Sequence, residues 1–139
     1  MLNLYGSRIR SKQKKALNFF AESLFSPQMI ANLHIRVKFV SNSNDYGAVY
    51  VDDYNVIGQP RHFIMEIAKE DDLSTQIQTM AHEMVHVRQF VRNEINEELT
   101  QWKSRRVNSD VVPYCDLPWE IEANKLGDRM YEEFVEMCG

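Results

Sequence analysis

The stretch from Asp71 to Ile95 reads DDLSTQIQTMAHEMVHVRQFVRNEI, and its spacing decides how the chain is organised. Ile77, Ala81, Met84, Val85, Val91 and Ile95 fall on one stripe of a 3.6-residue repeat, the signature of an amphipathic helix. Asp71, Asp72, Ser74 and Thr75 all offer side-chain oxygens to cap its start, and Thr75 with Gln78 reads as a capping box. Ile95, Leu99 and Trp102 keep helical spacing, so the pattern runs on to about Arg106. Inside this helix His82 and His86 stand four residues apart, on one side and one turn from each other, and Glu83 directly follows the first.

Upstream, Lys12 to Phe25 is apolar at Ala16, Leu17, Phe20, Leu24 and Phe25, which predicts another amphipathic helix, broken at Ser26-Pro27. His34 to Val40 alternates apolar with polar residues and reads as a half-buried strand. A turn cluster from Asn42 to Gly47 precedes a second β-prone run, Ala48 to Val51. A loop from Asn55 to Pro60 then leads to a third strand, His62 to Ala68. Connections this short suit antiparallel neighbours. Downstream, Val107 to Leu117 carries no periodic pattern and is longer than a usual connection, as an active-site lid would be. Pro118 sits where a helix begins, and Trp119, Ala123, Leu126, Met130 and Phe134 line one face of that helix.

A chain of 139 residues fits one domain, expected to span 1–139, with length enough for a real core. Hydrophobic residues make up 44% and charged residues 26%, which excludes a disordered or fibrous chain. No apolar run approaches the roughly 20 residues that cross a bilayer, so no membrane partner is expected. The segment Met1 to Gly6 lacks a secretory signal pattern, so the cytoplasm is the expected location. Cys115 and Cys138 form no disulfide framework, consistent with a reducing compartment. A net charge of −4 argues against avid, non-specific nucleic-acid binding. The basic cluster Arg8, Arg10, Lys12, Lys14 and Lys15 is a local exception, either a solvated helix face or a phosphate-contacting patch.

The histidine pair is the spacing that grips one Zn²⁺, with nitrogen–metal bonds of about 2.0–2.1 Å. Glu83 then stands at the rim, placed to take a proton from the zinc-bound water and pass it to a leaving group. A catalytic zinc takes a third protein ligand, and no histidine follows His86. Glu120 and Glu122, at the start of the last helix, are the carboxylate candidates, and Cys115 is a more distant one. Glu120 is favoured, because its side of the helix carries the small residues Ala123 and Gly127, which let another helix approach. Asn124, one turn on, is placed to hydrogen-bond and orient a ligand. Tyr114, Tyr131, Arg105 and Arg106 are candidate donors to a developing oxyanion.

Thr79-Met80-Ala81-His82-Glu83-Met84-Val85-His86, downstream of a strand pair entered through Tyr46-Gly47, resembles the SprT-like metallopeptidases. Leu117-Pro118-Trp119-Glu120-Ile121-Glu122-Ala123-Asn124 is similar to a block in small, often phage-encoded members, and to the gluzincin pattern of a glutamate third ligand. The resemblance covers Tyr46 to Phe90 and Leu117 to Gly127. It departs from many relatives in lacking a third histidine ligand and a cysteine-rich zinc ribbon. The resemblance implies an α+β, minimal zincin-like fold. It has a small, mainly antiparallel three-stranded sheet on an HExxH helix, with an N-terminal helix and a C-terminal ligand-bearing helix. It further implies one zinc per chain and hydrolysis of a peptide or protein substrate. That substrate's backbone would pair with an edge strand formed by Gly47, Ala48, Val49, Tyr50 and Val51. The alternatives are a catalytically silent zinc-containing binding or virion module, and a nucleic-acid-associated protease using the basic cluster.

Overall fold

A computed structural model of the chain describes residues 1–41, 47–53 and 59–138. The element order is β1 (Asn3–Tyr5), α1 (Ser11–Leu24), α2 (Pro27–Asn32), β2 (His34–Val40), β3 (Gly47–Asp53), β4 (His62–Ala68) and α3 (Leu73–Val91). Two-residue strands β5 (Gln101–Trp102) and β6 (Arg105–Arg106) follow, and α4 (Pro118–Cys138) ends the series. Most of the expected turn 42–47 and loop 55–60, including Tyr46, lies outside the described residues.

Local chemistry sets the boundaries. Pro27 does more than end α1. It occupies the first position of α2, and the Ser26 hydroxyl accepts a hydrogen bond from the Met29 amide at 3.3 Å. Of the four possible caps of α3, Asp72 is the one used, accepting from the Thr75 amide at 2.8 Å. Helix α3 stops at Val91 and does not continue to Arg106. Asn93 adopts a left-handed φ of 56°, and the Glu94 amide turns back to the Gln89 carbonyl at 2.9 Å, closing the helix end. The apolar residues beyond it belong to turns and the β5–β6 hairpin.

The main sheet has four strands in the order β1-β2-β4-β3. Pairing is antiparallel between β3 and β4 but parallel between β1 and β2 and between β2 and β4, a mixed sheet rather than a three-stranded, mainly antiparallel one. Consecutive strands β2, β3 and β4 do alternate in direction, as their short connections require. However, β4 inserts between β2 and β3, so two strands that both oppose β3 become parallel neighbours. The β1–β2 pair is joined through α1 and α2, the longer crossover that parallel neighbours need.

One face of the sheet carries the core. Ile35 and Val37 of β2 and Phe63, Met65 and Ile67 of β4 are buried, whereas Arg36 and Lys38 point to solvent. Helix α3 covers the buried face, packing on β3 and β4, on α1 and, most extensively, on α4. A central helix of this kind is buried nearly all round, as α3 is from Gln76 to Phe90. Two buried glutamines tie the layers together. Gln13 of α1 donates to Gln76 at 2.8 Å, and Gln76 donates to the Ala68 carbonyl at 3.0 Å. Among the described residues no helix is long and apolar enough to cross a membrane.

Candidate metal centre

Close contact between α3 and α4 builds the site. Ala123 is fully buried, and a Cβ added to Gly127 would stand 3.0 Å from the His82 Cα and 3.1 Å from its nitrogen. A side chain there would press on the His82 backbone, so the glycine eases this close approach of the two helices. Two turns before Gly127 the same face of α4 presents Glu120 to the histidines of α3.

Three atoms converge there. His82 Nε2 lies 3.0 Å from Glu120 Oε1, His86 Nε2 lies 3.2 Å from the same oxygen, and the two nitrogens are 3.2 Å apart. Ligands held tetrahedrally at about 2.0–2.1 Å from a zinc ion stand about 3.3–3.4 Å from one another. The donor set, two imidazoles and a carboxylate, and its near-equilateral spacing therefore fit a zinc ion with one face left open.

Which nitrogen of His86 faces that point is decided one layer further out. The Gln89 side-chain amide donates to the Trp119 carbonyl and to Glu122 Oε1, both at 3.0 Å. That orients its oxygen, 2.7 Å from His86 Nδ1, as an acceptor. His86 therefore carries its proton on Nδ1 and turns the lone pair of Nε2 toward His82 and Glu120, as a metal ligand must. Glu122 is itself 3.8 Å from the Arg88 guanidinium. Gln89, fully buried, is a residue that sequence reasoning missed. Its place one turn after His86 was the available signal.

Electrostatics among the three donors follow from this crowding. Burial opposes ionisation of Glu120, but hydrogen bonds and charge from His82 and His86 outweigh it and pull its pKa to about 2. Burial likewise disfavours protonated His86. Its bond to Glu120, the charges of Glu83 and Glu120, and the Gln89 bond outweigh that and raise its pKa. The site attracts positive charge, which a divalent cation would supply.

A cleft opens beside the three donors, lined by Gly47, Ala48 and Val49 of β3, Glu83, His86 and Phe90 of α3, and Glu120, among others. Glu83 is 5% exposed. The strand Gly47 to Val51 lies in β3, at the sheet edge, with Tyr50 exposed and Val51 buried. Tyr114, in a short 3₁₀ turn before α4, also borders the cleft. The structure sets the other expected residues elsewhere. Tyr131 hydrogen-bonds Ser74 at the start of α3, in a separate hollow with Lys12 and Phe134. Asn124 is exposed, because the α4 face that reaches α3 is that of Glu120, Ala123 and Gly127; Gln89 orients the ligand instead. Glu122 holds Gln89 rather than joining the triangle, and Cys115 is exposed and outside it. Arg105 and Arg106 are exposed on β6, and Arg8, Arg10, Lys12, Lys14 and Lys15 are all exposed. His34 and His62 stack on neighbouring strands, with ring centroids 4.4 Å apart.

No protein family, no curated protein and no solved structure matches the chain. What remains is the residues themselves: His82, His86 and Glu120, on successive α-helices, form a zincin-like triad that could hold a metal ion.

Proposed function

We propose that the chain is a zinc-dependent metallopeptidase of the SprT-like kind, a single domain over 1–139 that hydrolyses peptide bonds. One observation carries this reading: His86 and Glu120 of the His82–His86–Glu120 triangle line an open cleft together with Glu83 and the edge of β3. When bound, zinc supplies a Lewis acid that polarises a carbonyl and lowers the pKa of water toward about 7. His82, His86 and Glu120 hold the ion, and Gln89 keeps the His86 ring in the tautomer that leaves Nε2 free to ligate. Glu83 takes the proton of the attacking water and returns it to the departing amine nitrogen. Gly47 to Val51 offer the backbone of an edge strand, to which an extended peptide adds as a further strand. Tyr114, which lines the cleft, would donate to the carbonyl oxygen as charge builds on it. A structural zinc is normally closed by four protein ligands. Three donors beside an open cleft favour hydrolysis over a silent zinc-bearing module.

Zinc-loaded wild type and Glu83→Gln, each incubated with a peptide library and read by mass spectrometry, test this. New termini with wild type, and none with a Glu83→Gln protein of equal zinc content, support it. Equal cleavage by both proteins, or none by either, would sink it.

A further inference from the structure

We infer that the outer face of the sheet carries a second metal site, in which His34 and His62 together take a late divalent transition-metal ion, copper(II) in preference to the others. The two histidines are direct partners in the parallel register of β2 and β4, so both side chains leave the sheet on one face. It is the face of Arg36 and Lys38, opposite to the one that α3 covers, so the pair is separate from the triad. The two rings are nearly parallel, 4° apart, with centroids 4.4 Å from each other. Two imidazoles that share one ion, about 2.0–2.1 Å from each nitrogen, have centroids about 4.4–5.2 Å apart. The histidine pair of the triad stands at 4.8 Å. The spacing of His34 and His62 is therefore already that of a shared ion, and the strands need not move. Histidine χ2 is a broad torsion, so modest turns of the two side chains bring a nitrogen of each onto one point.

The surroundings suit a ligand pair. The Tyr5 hydroxyl lies 3.0 Å from His34 Nδ1, and the Tyr5 ring stacks beside the imidazole with centroids 6.0 Å apart. When His34 ligates through Nε2, its Nδ1 proton has an acceptor in that hydroxyl, the part that Gln89 plays for His86. Burial and the neighbouring His62 lower the His34 pKa, so this ring is neutral and able to ligate at pH 7. In β3 the register shift after Val51 puts Asp53 opposite His62, so the row of the sheet that holds the imidazoles also carries an acidic residue. Imidazole nitrogens suit copper, nickel and zinc, and affinity along the first-row divalent series peaks at copper(II). An ion held there links β2 to β4 on the side of the sheet away from α3.

Copper(II) titrated into zinc-loaded protein tests the inference, in a Cys115→Ser, Cys138→Ser background that removes the two thiols able to reduce the ion. The chain has four histidines, and zinc occupies His82 and His86, so the imidazoles left for copper are His34 and His62. Electron paramagnetic resonance should show one copper per chain coupled to two imidazole nitrogens, and elemental analysis should show the zinc retained. His34→Gln and His62→Gln, each added singly, should lower copper affinity at least about tenfold with zinc content unchanged, since losing even the hydrogen-bond partner of a ligand costs about 10- to 100-fold. Both side chains are half-buried on the outer face, so these variants keep the fold, which circular dichroism checks. Copper affinity unmoved by either substitution, copper that enters only by displacing zinc, or a parent spectrum with fewer than two imidazole nitrogens overturns the site. A triad that takes no zinc would sink the metallopeptidase reading, and the two single substitutions would still decide this one.

Discussion

Replacing Gln89 by leucine keeps the volume of a fully buried side chain while removing three hydrogen bonds: from His86 Nδ1 at 2.7 Å, and to the Trp119 carbonyl and Glu122 at 3.0 Å each. Glu122 is half-buried and recovers water, and the Trp119 carbonyl lies in the first turn of α4. The His86 N–H, by contrast, is left buried without an acceptor, at a cost of about 1–3 kcal/mol. With the other lost bonds, metal-free Gln89→Leu should be destabilised by about 2–4 kcal/mol. Zinc affinity should fall by about 10- to 100-fold, because the ring is no longer held in the ligating tautomer. Urea unfolding in chelator gives the first quantity, and competition with a chromophoric zinc chelator gives the second. Asn124→Ala, on the exposed side of α4, serves as the control and should change stability by no more than about 0.5 kcal/mol. Zinc affinity of Gln89→Leu within twofold of wild type, with the protein folded, would refute the role given to this side chain.

Further outcomes follow from the same geometry. Glu120→Ala should lose far more zinc affinity than Glu122→Ala, since only Glu120 contributes an atom to the triangle; titration with zinc would show the reverse order if the wrong glutamate has been chosen. Gly127→Val puts a side chain against the His82 backbone, so thermal unfolding should report a loss of about 1–3 kcal/mol together with weaker zinc binding; an unchanged melting curve would contradict the close helix contact. In chelator, the Glu120 contribution to stability is complete above its ordinary pKa of 4.5 and lost as pH falls toward about 2. The His86 contribution is complete below its ordinary 6.5 and lost as pH rises through its raised value. The metal-free pair therefore stabilises most between pH 4.5 and 6.5, and zinc should move the optimum upward, because both rings must be deprotonated to ligate. Melting profiles in chelator and in zinc that coincide across this range would be inconsistent with that linkage.

Much of the site was legible in the sequence because the information is local. His82, Glu83 and His86 are placed by helical spacing alone, and the small face of Ala123 and Gly127 told Glu120 from Glu122. Strands β2 and β4 were readable to the residue from their apolar patterns. Sheet order was not, because alternation states which side chains face the core but not which strand lies beside which; insertion of β4 between β2 and β3 is a tertiary choice. Strand β1 has three residues, too few to make a pattern. Ile95, Leu99 and Trp102 imitate a helix because their spacing is 3–4 residues, and periodicity does not register that Asn93 has already turned the chain. The sequence points to Asn124 as the group that orients a ligand, since a position one turn from Glu120 is near it along the helix. The group that does so comes from α3, where Gln89 stands one turn from His86.

The function proposed for this chain depends on His82, His86 and Glu120 holding one zinc ion. Elemental analysis of protein purified without a metal-affinity tag, for wild type and His82→Ala side by side, tests it most directly. Wild type should hold about one zinc per chain, as three protein ligands and an open position allow, and a folded His82→Ala protein little or none. A folded wild type that takes up no zinc on reconstitution, or a His82→Ala protein that keeps a full complement, would contradict it.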